Sequence, residues 1–167
     1  MRVTNVHQRE LRASAAAVGD LIDRLASDRD ELWPHDRWPA MRFDRPLGVG
    51  ASGGHGPIGY VVEEYVPGHF IRFRFSKPAG FLGTHRFEIE EYNAERVVLR
   101  HVIEMRAVWG AYWFWLFAIR PLHNALLEDA LDSAELSVGA IPRKRNWSLW
   151  VRFLRWSMAG RRSVKRK

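Results

Sequence analysis

From Val3 to Leu11 apolar and polar residues alternate, the period of a half-buried strand. The period then lengthens. Val18, Leu21, Ile22 and Leu25 recur at helical spacing behind Ser14, a residue type that caps helix N-termini. A second short helix is expected from Ser27, with Asp30 at the capping-box position. The Pro-rich aromatic stretch WPHDRWPAMRFDRPLGVG then reads as a structured loop running into extended chain.

From Ile58 to Arg106 the period is two. Ile71, Phe73 and Phe75 oppose Arg72 and Arg74; His85, Phe87 and Ile89 oppose Arg86, Glu88 and Glu90. Leu99, His101, Ile103 and Met105 oppose Arg100, Val102, Glu104 and Arg106. With turn signals at Pro67-Gly68, KPAGFLG and NAE between them, these runs predict antiparallel strands with one dry and one wet face. The apolar run Ala107 to Ile119 is thirteen residues, too short to span a bilayer. Pro121 predicts a break or kink near Ile119-Arg120. Beyond it Leu127, Leu131, Ala134 and Val138 mark a last long helix, with Glu128, Asp129, Asp132 and Glu135 on its other side.

Composition changes this picture in two places. Aromatic residues reach 13%, with eight Trp and nine Phe, the side chains that build cores and also line pockets for flat apolar ligands. No Cys is present, so disulfides and thiolate metal sites are excluded. The net charge of +7 is concentrated: residues 141 to 167 carry ten Lys/Arg and no acid, leaving 16 Lys/Arg against 19 Asp/Glu in the first 140. A mildly acidic body with a basic tail is a poor match to a nucleic-acid-binding protein, and no recognition motif accompanies the charge. The N-terminal stretch has no apolar core of a secretory signal, so a cytoplasmic location is expected.

GVGASGG, residues 48 to 54, matches the dinucleotide spacing G-x-G-x-x-G in Gly48, Gly50 and Gly53. The context does not fit. No helix opens after it, and Phe73 rather than an acid stands about twenty residues on. The glycines are expected to serve a bent, tightly packed hairpin, and no nucleotide cofactor is implied.

The order of strand, helices, antiparallel strands and long terminal helix resembles the START/SRPBCC superfamily. The likeness runs over about residues 1 to 139, on VHQRELRASAAAVGDLI, RPLGVGASGGHGPIGYVVEEYVPGHFIRFRF and THRFEIEEY followed by VVLRHVIEM. It implies an α+β helix-grip fold: a curved antiparallel sheet wrapped around a long C-terminal helix, with two short helices after the first strand. It also implies an apolar cavity between sheet and helix, and the binding or transformation of lipids, sterols or polyketides. Residues 140 to 167 stand outside it as a basic amphipathic extension.

Two chemistry candidates follow. His85 and His101 fall on the dry face of neighbouring strands, where imidazoles can act as acid and base or hydrogen-bond a ligand; the pattern equally suits two histidines buried for packing. No third residue at ligand spacing joins them, so no metal is expected. The expected ligand wall is Phe73, Phe75, Phe87, Ile89, Leu99, Ile103 and Met105, with Trp113 from the helix. Trp33, His35, Asp36, Arg37 and Trp38 form a polar-aromatic loop that in a helix-grip fold can roof the cavity. No G-x-S-x-G elbow or Cys nucleophile supports a covalent hydrolase. In the tail Trp147, Trp150, Val151, Leu154 and Met158 share a helical stripe among basic residues, a pattern suited to an anionic membrane surface or to docking on the body. The sequence therefore predicts a binder of a hydrophobic or aromatic small molecule. Its alternatives are a cyclase/dehydratase-type enzyme using the two histidines and a membrane-surface-associated interaction protein.

Overall fold

In a computed structural model that describes residues 1–142 and 145–164, with side chains through Met158, the alternating stretches form one seven-stranded antiparallel sheet. The basic positions Arg143, Lys144 and Lys165 to Lys167 lie outside the described residues. The chain runs β1 (Arg2–Leu11), α1 (Ala15–Asp23), β2 (Arg42–Phe43), β3 (Ser52–His55), β4 (Ile58–Val66), β5 (Phe70–Lys77), β6 (Phe81–Asn93) and β7 (Arg96–Ala107). It continues through α2 (Trp109–Phe114), a π-helical turn (Trp115–Ile119), α3 (Arg120–Ser137) and α4 (Leu149–Val164). Strand order is β1-β7-β6-β5-β4-β3-β2. Two bulges in the β4–β5 pairing, one at Ser76 of β5 opposite Gly59-Tyr60 and one at Glu63 of β4, bend the sheet around α3. This is the α+β helix-grip architecture, with α3 as the gripped helix.

Polar chemistry as well as apolar packing holds α3 in place. On the inner face of β1, Asn5 donates to Asn124 and His7 contacts Glu128 and Asn124. Arg9 pairs with Glu128, Asp132 and Glu135 together. The acidic side of the last helix thus faces the first strand. At the far end of the sheet α1 closes the gap. Ser14 caps it by accepting from the Ala17 N–H, and Gly19 lies so close to the Gly68 carbonyl that a Cβ would collide with it.

One expectation is corrected. The second short helix from Ser27 does not form. Asp30, buried, accepts hydrogen bonds from the backbone N–H groups of Ala26, Leu32 and Trp33, and a carboxylate that collects donors on both sides holds the chain in turns instead. The interruption expected near Ile119-Arg120 takes the form of a π-helical segment ending at Ile119, and Pro121 enters at the first turn of α3. Pro121 offers no N–H to the Phe117 carbonyl one turn earlier, and the Trp150 Nε1–H of α4 donates to that carbonyl at 2.9 Å.

The glycine stretch is structural. Gly50 has φ 86°, the left-handed region, and a Cβ on Gly53 would strike the Arg42 carbonyl oxygen and the Phe43 ring where β2 and β3 pair.

Candidate functional site

Between the sheet and the α2–α3 helix lies a cavity of about 860 Å3. The sheet contributes Phe75, Phe81, His85, Phe87, His101 and Ile103; the helix contributes Trp115, Ala118, Ile119, Leu122 and His123. The loop from Trp33 to Met41 forms a roof, and Leu154 and Met158 of α4 form part of the rim. The wall is predominantly aromatic and aliphatic.

Of the residues singled out from sequence, Phe75, Phe87, Ile103, His85 and His101 are brought together on this wall. Phe73 is buried behind it, stacked on the His85 ring with centroids 4.8 Å apart. Leu99 lies one row beyond the cavity in solid core, its β6 partner Ile89 is half-buried against that core, and Met105 is buried near the sheet's other end. Trp113 points away from the cavity, exposed and stacked on Phe117; Trp115, two positions on, takes the inward place. His123 was not legible as a site residue. Its only signal is its place on the apolar stripe with Ile119 and Leu127, where a histidine reads as a tolerated interruption.

The histidines define the chemistry. His85 and His101 occupy adjoining pairs of the β6–β7 ladder, His85 opposite Ile103 and His101 opposite Phe87. Their side chains therefore meet diagonally, His85 Nδ1 to His101 Nε2 at 3.2 Å. The His123 ring stands 5.0 Å from His101, and His7, opposite His101 on β1, stands 6.0 Å from His123. On the other flank the edge of Tyr60 meets His85, and the Tyr60 hydroxyl lies 3.0 Å from His55 Nδ1. Burial pushes His85, His101 and His123 well below the ordinary imidazole range, and the neighbouring imidazoles push the same way. Burial also holds His55 down to about 4 and raises Tyr60 well above the usual phenol value. His55, His85, His101 and His123 are uncharged at neutral pH.

An uncharged pair has a definite hydrogen-bonding consequence. One proton occupies the 3.2 Å contact, on either His85 Nδ1 or His101 Nε2. His85 Nε2 and His101 Nδ1 are buried and have no protein partner, as is His123 Nδ1. In the first arrangement His85 Nε2 is a bare acceptor and His101 Nδ1 carries a proton; in the second the roles exchange. Either way the pair offers one free donor and one free acceptor. Among the described residues no cluster of His, Asp or Glu is placed to hold a metal ion.

Roof and α4 are fastened at one point. Buried Asp129 on α3 accepts from Arg37 Nη1 at 2.8 Å, Trp38 Nε1 at 2.7 Å and Trp147 Nε1 at 3.1 Å. The Arg155 guanidinium lies over both indoles, 4.2 Å from the Trp38 ring and 4.1 Å from the Trp147 ring. The tail, expected to stand apart from the ligand site, instead lines it. Of the expected stripe, Trp147, Val151 and Leu154 are packed on the body, while Trp150 and Met158 are exposed, Trp150 in an outward row with Leu149, Phe153 and Trp156.

No protein-family model and no curated protein matches the sequence. Solved structures do resemble the fold. Norcoclaurine synthase from Thalictrum flavum, in complex with dopamine and hydroxybenzaldehyde, aligns with TM-score 0.60 at 14% identity over 87% of this chain and 90% of its own. CalU16 from Micromonospora echinospora aligns with TM-score 0.58 at 10% identity over 96% and 86%. A conserved protein of unknown function from Enterococcus faecalis aligns with TM-score 0.61 at 13% identity over 95% and 86%. At these identities the likeness establishes the fold.

Proposed function

We propose that this protein binds a hydrophobic or aromatic small molecule, lipid- or polyketide-like and uncharged in its buried part, in the cavity between sheet and helix. The observation that carries this reading is the pairing of an apolar wall with His85 and His101, whose unsatisfied donor and acceptor suit a hydroxyl or carbonyl. A carboxylate placed beside the two imidazoles would lose its hydration and gain no charge partner from them, because they stay neutral. The norcoclaurine synthase complex with two aromatic compounds supports the same class of occupant in a similar fold.

Native mass spectrometry of the freshly purified chain should detect a co-purified apolar molecule, and the dye ANS should bind the emptied protein. Ala118, small and on the wall, is the place to fill the space. Ala118→Trp should weaken ANS binding about tenfold, equivalent to about 1.4 kcal/mol. Unchanged dye binding in a folded Ala118→Trp variant refutes the reading.

A second reading is an enzyme of the cyclase/dehydratase kind. It is favoured by the shared proton of the His85–His101 contact, because moving that proton delivers one at one end of the pair and accepts one at the other. His101→Gln separates the two: a binder keeps most of its affinity, whereas an enzyme keeps affinity and loses turnover.

A further inference from the structure

The cavity rim carries an aromatic surface that the binding reading does not use. From α2 to α4 a chain of side chains faces outward: Trp109, Trp113, Phe117, Trp150, Phe153 and Trp156. Trp109 is 69% and Trp156 73% exposed, high values for indoles. The rings form two runs. Trp109 meets Trp113 edge-on and Trp113 stacks on Phe117, while Trp150 stacks on Phe153, which meets Trp156. The Trp150 Nε1 bond to the Phe117 carbonyl ties the runs into one face. Phe114 and Met158, which line the cavity, are themselves exposed beside it. The face therefore borders the cavity mouth.

Charge identifies the occupant. The sequence has no acid between Glu104 and Glu128, and none after Glu135, so both segments that build the face are acid-free. Arg106, Arg120 and Arg152 are exposed on them, and ten Lys/Arg follow residue 140. Indoles and phenyl rings among arginines, without carboxylates, match the interface of an anionic bilayer, where rings sit at headgroup depth and cations meet lipid phosphates. We propose that this face docks the protein on an anionic lipid surface, with the cavity mouth turned towards the membrane. The contact is peripheral: no helix among the described residues is long and apolar enough to cross a membrane. The proposal does not depend on the identity of the cavity's occupant.

The test is co-sedimentation of the full chain with vesicles of phosphatidylcholine, pure or containing about a third phosphatidylglycerol. Binding to the anionic vesicles and not the neutral ones is expected, weakening as salt rises. Two variants then probe the two halves of the face separately, Trp109→Ser with Trp113→Ser and Phe153→Ser with Trp156→Ser. All four positions are exposed, so circular dichroism and ANS binding should stay as in the unaltered protein. Each pair should lower the vesicle partition coefficient at least about tenfold. Three results overturn the proposal. One is no binding to anionic vesicles. The second is binding unchanged by both pairs, which assigns it to the basic tail alone. The third is a lipid-free dimer that both pairs dissociate, which assigns the face to a second copy of the chain.

Discussion

The two ends of the gap between sheet and helix are made from the same elements and the same alternation, yet one is solid and the other hollow. At the α1 end Ile22, Ile71, Leu99 and Leu131 are wholly buried and fill the space. At the α2 end the same strands and the same helix surround about 860 Å3. The boundary is sharp along the β6–β7 ladder: Phe87 and His101 form one pair on the cavity wall, and in the next inward-facing pair Leu99 is core with Ile89 half-buried against it. Hollowness is therefore a property of what stands opposite a strand, not of the strand. Where α1 closes the gap the strand residues meet side chains; where the roof loop and α4 bridge it at a distance they do not.

The largest effect that should separate the two ends is that of acid. His85, His101 and His123 lie at the hollow end with folded-state pKa values well below the unfolded value near 6.5. The unfolded chain takes up protons that the native cluster refuses, so stability is complete above pH 6.5 and falls as pH drops below it. The loss is about 2 kcal/mol for each ring between pH 7 and pH 5. Urea denaturation across that range should show the fall, and His123→Leu should remove one ring's share of it. A flat profile would mean that the imidazoles are hydrated and that the two ends do not differ in polarity as described.

Truncation at the two ends sharpens the same contrast. Leu131→Ala in the solid end opens a new void and should cost about 3 kcal/mol. Leu122→Ala only enlarges an existing space and should cost about 2 kcal/mol, the transfer term alone. Equal losses by denaturant titration would erase the distinction. Asp129→Asn is the smallest of the three. It keeps the shape but removes the charge that holds Arg37, and it should cost about 1 kcal/mol and loosen α4. Increased protease cleavage between Ser137 and Leu149, without loss of the sheet's circular dichroism, is the expected sign.

The strands and the last helix were legible because each has one consistent period and a clear dry face. Which dry-face residues line the cavity was not, since Leu99 and Ile103 have the same chemistry and differ only in what faces them. His85 and His101 could be paired from alternation and a short turn. His123 could not be added to them, because it lies on a different element, about twenty residues after His101 in the chain. The tail left two readings open for a related reason. Its helix carries aromatic residues on two stripes, and amphipathicity alone does not say which stripe meets protein. Asp30 shows the limit of local rules: a capping-box spacing was outweighed by a carboxylate with three backbone donors within reach.

The fastening at Asp129 has a kinetic consequence. The roof reaches it through Arg37 and Trp38, and the approach to α4 reaches it through Trp147, so the two covers of the cavity share one anchor. Neither can lift without leaving that buried carboxylate short of donors, and Arg155, which lies over both Trp38 and Trp147 and donates to the Arg37 carbonyl, ties one cover to the other. Entry and exit then follow one cooperative opening with a single relaxation time, not two doors moving independently, and the lifetime of anything held inside is set by how often that one event occurs.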